Sequence, residues 1–142
     1  MVERLFNLWK LEKNEDFDAY MKANKVNIVL RKVGNSITSY EEITRDNDTW
    51  TINITSTFRN SKLVFKLGEP FTEDTMDGRT VKTTFTVEGD KLVAIQEPIN
   101  QGDLPSRFER YVLDDGRMVL VCISIPENIV GKRFFQPYSR PN

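Results

Sequence analysis

Short β-prone runs separated by compact turn signals are the feature that most restricts how this chain can fold. Asp46-Asn47-Asp48, Asp77-Gly78, Gly89-Asp90 and Asp114-Asp115-Gly116 each separate stretches rich in β-branched and aromatic residues. Turns this short join neighbouring antiparallel strands, so a series of them produces a meander. The predicted strands are 5–11, 37–45, 49–55, 57–67, 71–73, 79–87, 91–97, 106–113, 117–125 and 129–138.

About ten twisted strands in series would leave two unpaired edges unless the sheet closes on itself. The predicted fold is therefore all-β, an antiparallel up-and-down barrel. A barrel of eight or more strands can hold a ligand in its interior. The length of 142 residues predicts that residues 1–142 form a single domain.

A helical period interrupts the strands between Asn14 and Gly34. The pattern predicts two short helices that together form a lid over about 15–34, with Asn14 as the first N-cap, a break at Asn24 and Gly34 as the stop. The lid cannot fit inside the barrel together with a ligand, so we expect it to cover one open end. The residues expected to share the apolar faces are Phe17, Tyr20 and Met21 in the first helix and Val26, Val29, Leu30 and Val33 in the second.

Composition excludes several function classes. The net charge of −1 argues against nucleic acid as a partner. The chain contains no histidine, the commonest general base and metal ligand, and no phosphate-binding loop, serine-nucleophile motif or Cys/His metal spacing. These absences predict a binding protein rather than an enzyme, with no metal and no cofactor. One cysteine, no apolar run of membrane-spanning length and no signal peptide predict a cytoplasmic protein.

Two arginines share strand faces with bulky apolar residues. Alternation groups Arg110 with Phe108 and Val112, and it groups Arg133 with Phe135. Taken alone, each arginine is more typical of an exposed exterior position. If these faces point inward instead, two guanidinium groups lie inside the barrel. Burial without a partner would cost several kcal/mol per charge. A bound carboxylate is the anion that guanidinium grips best, although internal carboxylates and water could also compensate the charge.

Several motifs in order resemble the intracellular lipid-binding proteins, and among them the fatty-acid-binding group. The resemblance covers nearly the whole chain. The matching stretches are Trp9-Lys10-Leu11 with 16–22, 31–35, 55–60, 65–69, Asp77-Gly78-Arg79 and the Arg133-x-Phe135 pair.

The resemblance implies a ten-stranded, flattened barrel of the lipocalin-like (calycin) type, with a water-filled cavity under the helix-turn-helix lid. It implies that Arg110 and Arg133 hold the carboxylate of a long-chain fatty acid or a similar anionic lipid. Phe135 stands where the family has a tyrosine, so one hydroxyl donor to the ligand is missing. The other residues to which the resemblance gives a cavity or portal role are Phe17, Tyr20, Met21, Val26, Val29, Phe58, Met76, Asp77, Arg79, Gln96, Leu120 and Cys122.

Two further features are relevant to the resemblance. Residues 101–105 and 128–132 are insertions that lengthen loops, and we expect them at the far end of the barrel. Lys22, Arg31 and Lys32 are basic lid residues, interpreted as a solvated face, as a patch for nuclear localisation or nuclear receptors, or as a contact with anionic membranes. The expected state is a monomer in the cytoplasm, with the nucleus as a second location.

Three alternative functions stay open at this point. A carrier of a retinoid, a bile acid or another lipid would use the same cavity, and Phe135 keeps that alternative open. An enzyme would need Glu109 as a general base or Cys122 as a nucleophile, and no pattern places these two together. A structural protein of stacked membranes would carry a strongly basic charge, which this chain lacks.

Overall fold

The computed structural model describes residues 1–141 and has ten antiparallel strands, two α-helices and one 3₁₀ helix. The 3₁₀ helix (Val2–Leu5) comes first, and α1 (Phe17–Ala23) and α2 (Ile28–Ser36) lie between the first two strands. The strands are β1 (Leu8–Glu15), β2 (Ser39–Asp46), β3 (Thr49–Ser56), β4 (Ser61–Lys66), β5 (Phe71–Asp74), β6 (Thr80–Glu88), β7 (Lys91–Pro98), β8 (Ser106–Val112), β9 (Met118–Ser124) and β10 (Ile129–Pro137).

The strands form one sheet in the order β4-β3-β2-β1-β10-β9-β8-β7-β6-β5. Each strand pairs with its chain neighbour, and β1 pairs with β10 to bring the ends of the chain together. The sheet ends at β4 and β5, which share no ladder among the described residues, so the barrel is nearly closed rather than fully closed. The prediction of an all-β antiparallel barrel with a helical lid is confirmed.

Aromatic side chains fill the gap between β4 and β5. The rings of Phe65 and Phe85 stack with 3.9 Å between their centroids, and Phe71 stacks on both at about 6 Å. The backbone N–H of Gly68 donates to the carbonyl of Phe85 at 2.8 Å. Side-chain packing therefore replaces the missing ladder at this point of the wall.

The end of the barrel away from the lid is a packed core. Leu5 of the 3₁₀ helix is fully buried, and its carbonyl accepts a hydrogen bond from the indole N–H of Trp9 at 2.9 Å. The short, mixed apolar stretch 5–11 predicts a strand, but Leu5 belongs to the 3₁₀ helix and β1 begins at Leu8. The apolar side chain of Leu5 is buried as the sequence suggests, but its backbone is helical rather than extended.

The lid begins and ends two residues later than the sequence predicts. Asn14 lies in β1 and does not cap α1; Asp16 does, in a left-handed conformation (φ 55°) and without a side-chain capping bond. Gly34 is also not a stop, because α2 continues to Ser36.

Two glycines permit close packing of the lid. A Cβ at Gly131 of β10 would lie 2.8 Å from both the carbonyl oxygen of Asp16 and the Cα of Phe17. A Cβ at Gly34 would lie 2.9 Å from the sulfur of Met21. Gly131 thus lets the backbone of α1 rest directly on the barrel wall, and Gly34 lets α2 approach α1.

The two insertions lie at the lid end, so the expectation that they alter the far end is wrong. Lys25, between the helices, donates to the carbonyl of Gly102 at 3.2 Å. Residues 129–132 belong to β10, and Gly131 contacts α1. The predicted strand over 57–67 is also shorter than expected, because Ser56 and Asn60 hydrogen-bond the backbone of a tight turn before β4.

Candidate functional site

The lid and the inner wall of the barrel enclose a cavity of about 210 Å³, which is room for several water molecules. The structure brings thirteen of the fifteen predicted site residues together on its lining. Val29 and Phe135 are not among the lining residues. The thirteen are Phe17, Tyr20, Met21, Val26, Phe58, Met76, Asp77, Arg79, Gln96, Arg110, Leu120, Cys122 and Arg133.

Strand register places the two arginines at the same level of the wall. Arg110 of β8 lies opposite Leu120 of β9, and Leu120 lies opposite Arg133 of β10. Directly opposed residues point to the same face of a sheet, so all three side chains face the cavity. Alternation left the direction of these faces open, whereas the structure shows that they point inward and that Leu120 separates the two arginines.

Arg110 is held by an internal carboxylate. Its Nε donates to Glu41 Oε1 at 2.9 Å and its Nη2 to Oε2 at 3.3 Å, and the two side chains are only 8% and 6% exposed. Glu41 lies in β2, four strands away from β8 in the sheet, so the pair crosses the interior of the barrel. Burial alone would lower the pKa of Arg110, but the charge of Glu41 and its hydrogen bonds hold that pKa above its ordinary value.

Arg133 has a different environment. Its Nε donates to Asn14 Oδ1 at 3.0 Å and its Nη2 to the carbonyl of Gly34 at 3.3 Å. The guanidinium lies 4.2 Å from the ring centroid of Phe17. No carboxylate pairs with Arg133 within residues 1–141, and burial lowers its pKa. Arg133 therefore lies in the cavity as a cation with neutral partners only, beneath the junction of the two helices.

A second wall of the cavity carries polar groups. Arg79 pairs with Asp77 at 2.7 Å, and Thr75 donates to the same carboxylate at 2.6 Å. Glu73 accepts hydrogen bonds from Thr83 at 2.6 Å and from Gln96 at 3.4 Å. Burial raises the pKa of Glu73, which favours its neutral form. The polar groups of this wall therefore form most of their hydrogen bonds with one another.

A hydrogen-bonded cluster ties the first helix to β8. Tyr20 donates to the hydroxyl of Ser106 at 2.9 Å, and the amide of Asn24 donates to both hydroxyls. The burial of Tyr20 raises its pKa and keeps the phenol neutral. Asn24, which the sequence pattern marks only as a helix break, thus fixes the end of α1 to the barrel.

Two predicted site residues lie elsewhere. Val29 is 68% exposed, because the inward face of α2 is centred on Leu30 and Val33, and Val29 is about 100° around the helix from Leu30. Phe135 is only 1% exposed and belongs to the packed core, two residues further along β10 than Arg133. Its ring therefore fills the core beyond the cavity instead of facing the ligand space.

The structure does not bring together Glu109 and Cys122, the two residues that an enzyme is expected to use. Glu109 pairs with Arg107 at 2.9 Å and with Lys91 at 3.3 Å, and it is not on the cavity lining. Cys122 is on the lining, but burial raises the pKa of its thiol to about 12. A thiol with that pKa is protonated at neutral pH and is a poor nucleophile.

Sequence reasoning missed two carboxylates on the lining, Glu41 and Glu73. In β2 the buried positions are Ser39, Glu41 and Ile43, so the alternation anchored at Ile43 could have placed Glu41 inward. In β5, Glu73 is two residues after Phe71 and therefore shares its inward face. What no local pattern could show is that Glu41 reaches Arg110 across the barrel.

Comparison with known proteins identifies the family. The sequence model of the Lipocalin / cytosolic fatty-acid binding protein family matches residues 8–131. The chain belongs to this family. The family consists of carriers, and the chain is not an enzyme.

Similar proteins cover almost the full length of the chain. A fatty acid-binding protein of Tyrophagus putrescentiae is 39% identical over 129 residues, which is 90% of this chain and 93% of that protein. The crystal structure of apo lipid binding protein 8 of Caenorhabditis elegans has a TM-score of 0.89 and 31% identity, covering 97% of this chain and 98% of that one. A Schistosoma mansoni fatty acid binding protein in complex with arachidonic acid has a TM-score of 0.87 and 29% identity, covering 97% and 98%.

The helices of this family member are short. Over residues 1–141, no helix has both the length and the apolar character needed to span a membrane.

Proposed function

We propose that this protein binds long-chain fatty acids non-covalently in the barrel cavity and carries them inside the cell. The observation that supports this most directly is Arg133, a guanidinium that has no carboxylate partner within residues 1–141 and faces a cavity lined mainly by apolar side chains. A fatty acid supplies what the cavity lacks, a single carboxylate attached to an apolar chain. The named relatives support the same ligand class, since one is a complex with arachidonic acid.

The apolar tail supplies most of the affinity. Each buried methylene contributes about 0.8 kcal/mol, so a tail of about fifteen could gain on the order of 12 kcal/mol. Association entropy, ordering of the tail and displacement of cavity water offset much of that gain. Binding in the sub-micromolar to micromolar range is the expected result.

The carboxylate supplies orientation and selectivity. It is attracted to the level of the wall at which Arg110 and Arg133 lie on either side of Leu120. Arg133 can accept it without losing a charged partner, whereas Arg110 already pairs with Glu41. The hydroxyl donor that a tyrosine would add is absent, because position 135 is a phenylalanine.

Calorimetric titration of Arg133→Gln with oleate and with oleyl alcohol tests the proposal. A charge-assisted hydrogen bond contributes about 1.5–3 kcal/mol, so the variant should bind oleate at least tenfold more weakly. The alcohol has the same tail and no charge, and its affinity should change less than twofold. Lys132→Gln is the matched control, because it removes an exposed positive charge from the adjacent residue.

Two outcomes would contradict the proposal in different ways. Unchanged affinity of Arg133→Gln for oleate would show that Arg133 does not hold the headgroup. Failure of the unmodified protein to bind either lipid would remove the fatty-acid function. Mass spectrometry of lipid extracted from the purified protein then distinguishes fatty acids from a retinoid, a bile acid or another hydrophobic ligand.

The lid is the proposed contact with donor and acceptor membranes. Ile28 and Val29 of α2 are 53% and 68% exposed, and Lys22 and Lys32 are exposed on the two helices. Arg31, the third residue of the predicted basic patch, is tied to Asp18 at 3.1 Å and to the carbonyl of Val26. Lys22 and Lys32 form no ion pair within residues 1–141, and cations on the same lid as exposed apolar side chains suit an anionic membrane surface. A nuclear destination, a nuclear-receptor contact and a monomeric state are further parts of the proposal.

A further inference from the structure

The ion pair between Glu41 and Arg110 is unusual in its position. The two residues come from strands on opposite walls of the barrel, 69 positions apart in the chain, and meet in its interior. The contact uses both carboxylate oxygens and the Nε and Nη2 of the guanidinium. This side-on, bidentate geometry is the one in which arginine holds a carboxylate most firmly. Glu41 thus occupies the face of Arg110 that a ligand carboxylate would need.

The charged residues on the cavity lining are balanced in number. Within residues 1–141 they are the three arginines Arg79, Arg110 and Arg133 and the three acids Glu41, Glu73 and Asp77. Two pairs form, Arg110 with Glu41 and Arg79 with Asp77. The remaining two groups are Arg133, which has neutral partners, and Glu73, whose raised pKa favours the neutral form. The cavity therefore has one cation that is not neutralised.

A ligand carboxylate could reach the bidentate face of Arg110 only by displacing Glu41. Displacement would leave the carboxylate of Glu41 buried without a partner, which is strongly unfavourable. Sharing Arg110 would bring two negative charges together in a poorly solvated interior, which is also unfavourable. Neither cost arises at Arg133, whose present partners are an amide oxygen, a backbone carbonyl and an aromatic ring.

We infer that Glu41 is a specificity-determining residue, an internal counter-ion that reserves Arg110 and confines the carboxylate of the ligand to Arg133 beneath the lid. The inference rests on the proposed function, because it concerns the headgroup of the same ligand. It assigns unequal roles to the two arginines that the family resemblance treats as a pair. Arg133 binds the anion, and Arg110 with Glu41 forms a neutral strut across the cavity.

Removing the charge of Glu41 should change which lipids the cavity prefers. Glu41→Gln keeps the size of the side chain and one acceptor oxygen for Arg110, but it leaves two cations free instead of one. The variant should bind oleate at least fivefold more tightly than the unmodified protein, and it should bind oleyl alcohol with less than a twofold change. Glu42→Gln is the matched control, since Glu42 is the adjacent carboxylate on the outer face of β2 and contacts Arg140 instead.

A double variant separates this inference from the proposed function. In Glu41→Gln/Arg133→Gln the freed Arg110 should take over the headgroup, so oleate should bind at least fivefold more tightly than to Arg133→Gln alone. If the unmodified protein binds oleate but Glu41→Gln does not change the ratio of oleate to alcohol affinity, the role assigned to Glu41 is wrong while the fatty-acid function stands. If neither lipid binds the unmodified protein, the function itself fails.

A measurement on the unmodified protein does not depend on the folding of a variant. The ¹⁵N resonances of arginine Nε groups report which guanidinium gains a charged partner. Oleate should shift the Arg133 Nε–H resonance strongly and leave that of Arg110, already bonded to Glu41, nearly unchanged. A larger shift at Arg110 than at Arg133 would overturn the inference.

Discussion

The two arginines of the cavity differ in what they would contribute, because one is available to bind a ligand and the other stabilises the barrel. Among the residues that the structure describes, Arg133 contacts only neutral groups, so its removal leaves none of their charges unpaired. Arg110 is different, because its removal would leave Glu41 only 6% exposed and without a cation. The consequences of substituting the two arginines should therefore differ in kind.

Arg110→Met should act mainly on stability. Breaking a buried ion pair by removing one partner costs about 3–5 kcal/mol, and urea unfolding should show a loss of that size. The double variant Arg110→Met/Glu41→Leu replaces the pair by apolar side chains of similar size, and it should recover most of the loss. Equal unfolding free energies for Arg110→Met and the unmodified protein would show that the pair does not contribute to stability in solution.

What the sequence reveals at this scale is which side chains share a strand face, not their partners. Strand alternation grouped Arg110 and Arg133 with apolar neighbours on the same face but left the direction of that face open, and the structure shows both arginines on the cavity lining. The contact between Glu41 and Arg110 depends on barrel closure, which brings together strands that are not adjacent in the sheet. Phe135 shows the opposite limit. Alternation correctly puts it on the same strand face as Arg133, but the strand register sets its position along the barrel, and there it is part of the core.

The helical lid is the element whose presence the sequence predicts best and whose ends it predicts poorly. The period of Phe17, Tyr20 and Met21 appears as a buried face of α1. The true boundaries depend on contacts from distant strands, because Asn14 is held in β1 by Arg133 and Gly131 lets α1 rest on β10. A short helix follows such tertiary contacts rather than its own propensity.

The two helices are also anchored unequally. α1 is fixed to the barrel through the cluster of Tyr20, Asn24 and Ser106, whereas α2 has no fully buried residue. Few buried contacts mean a low free energy of local opening. The second helix is therefore the part of the lid that we expect to move when a ligand enters or leaves.

Membrane contact by the lid should be visible in transfer kinetics. Lys22→Glu/Lys32→Glu reverses two exposed lid charges, so transfer of a fluorescent fatty acid to vesicles containing phosphatidylserine should slow severalfold. The rate should also lose its dependence on vesicle concentration. Lys82→Glu, an exposed charge on β6 of the barrel wall, is the control and should leave the rate unchanged. Equal rates for the lid variant and the control would show that the basic lid residues are only a solvent-exposed face and do not contact the membrane.

At the scale of the whole molecule, the barrel is a ten-stranded sheet whose two edges share no ladder within residues 1–141. The sequence predicted the number of strands and the meander from short turns, and it predicted closure from the cost of bare edges. It could not show how the last gap is bridged, because β4 and β5 meet through side chains rather than through a ladder. Phe65 from β4, Phe71 from β5 and Phe85 from β6 make that bridge.

Phe85 should therefore contribute to closure more than its burial alone suggests. Its ring is 2% exposed and stacks on both strand edges, so Phe85→Ala should destabilise the fold by about 3–5 kcal/mol in urea unfolding. Phe108→Ala is the matched comparison, because Phe108 lines the same cavity, is only partly buried and lies on a fully paired strand. Amide exchange should accelerate in β4 and β5 of the Phe85 variant and should stay unchanged there in the Phe108 variant. Equal exchange in the two variants would show that the aromatic stack does not hold the edges together, and that the short 67–70 connection alone closes the barrel.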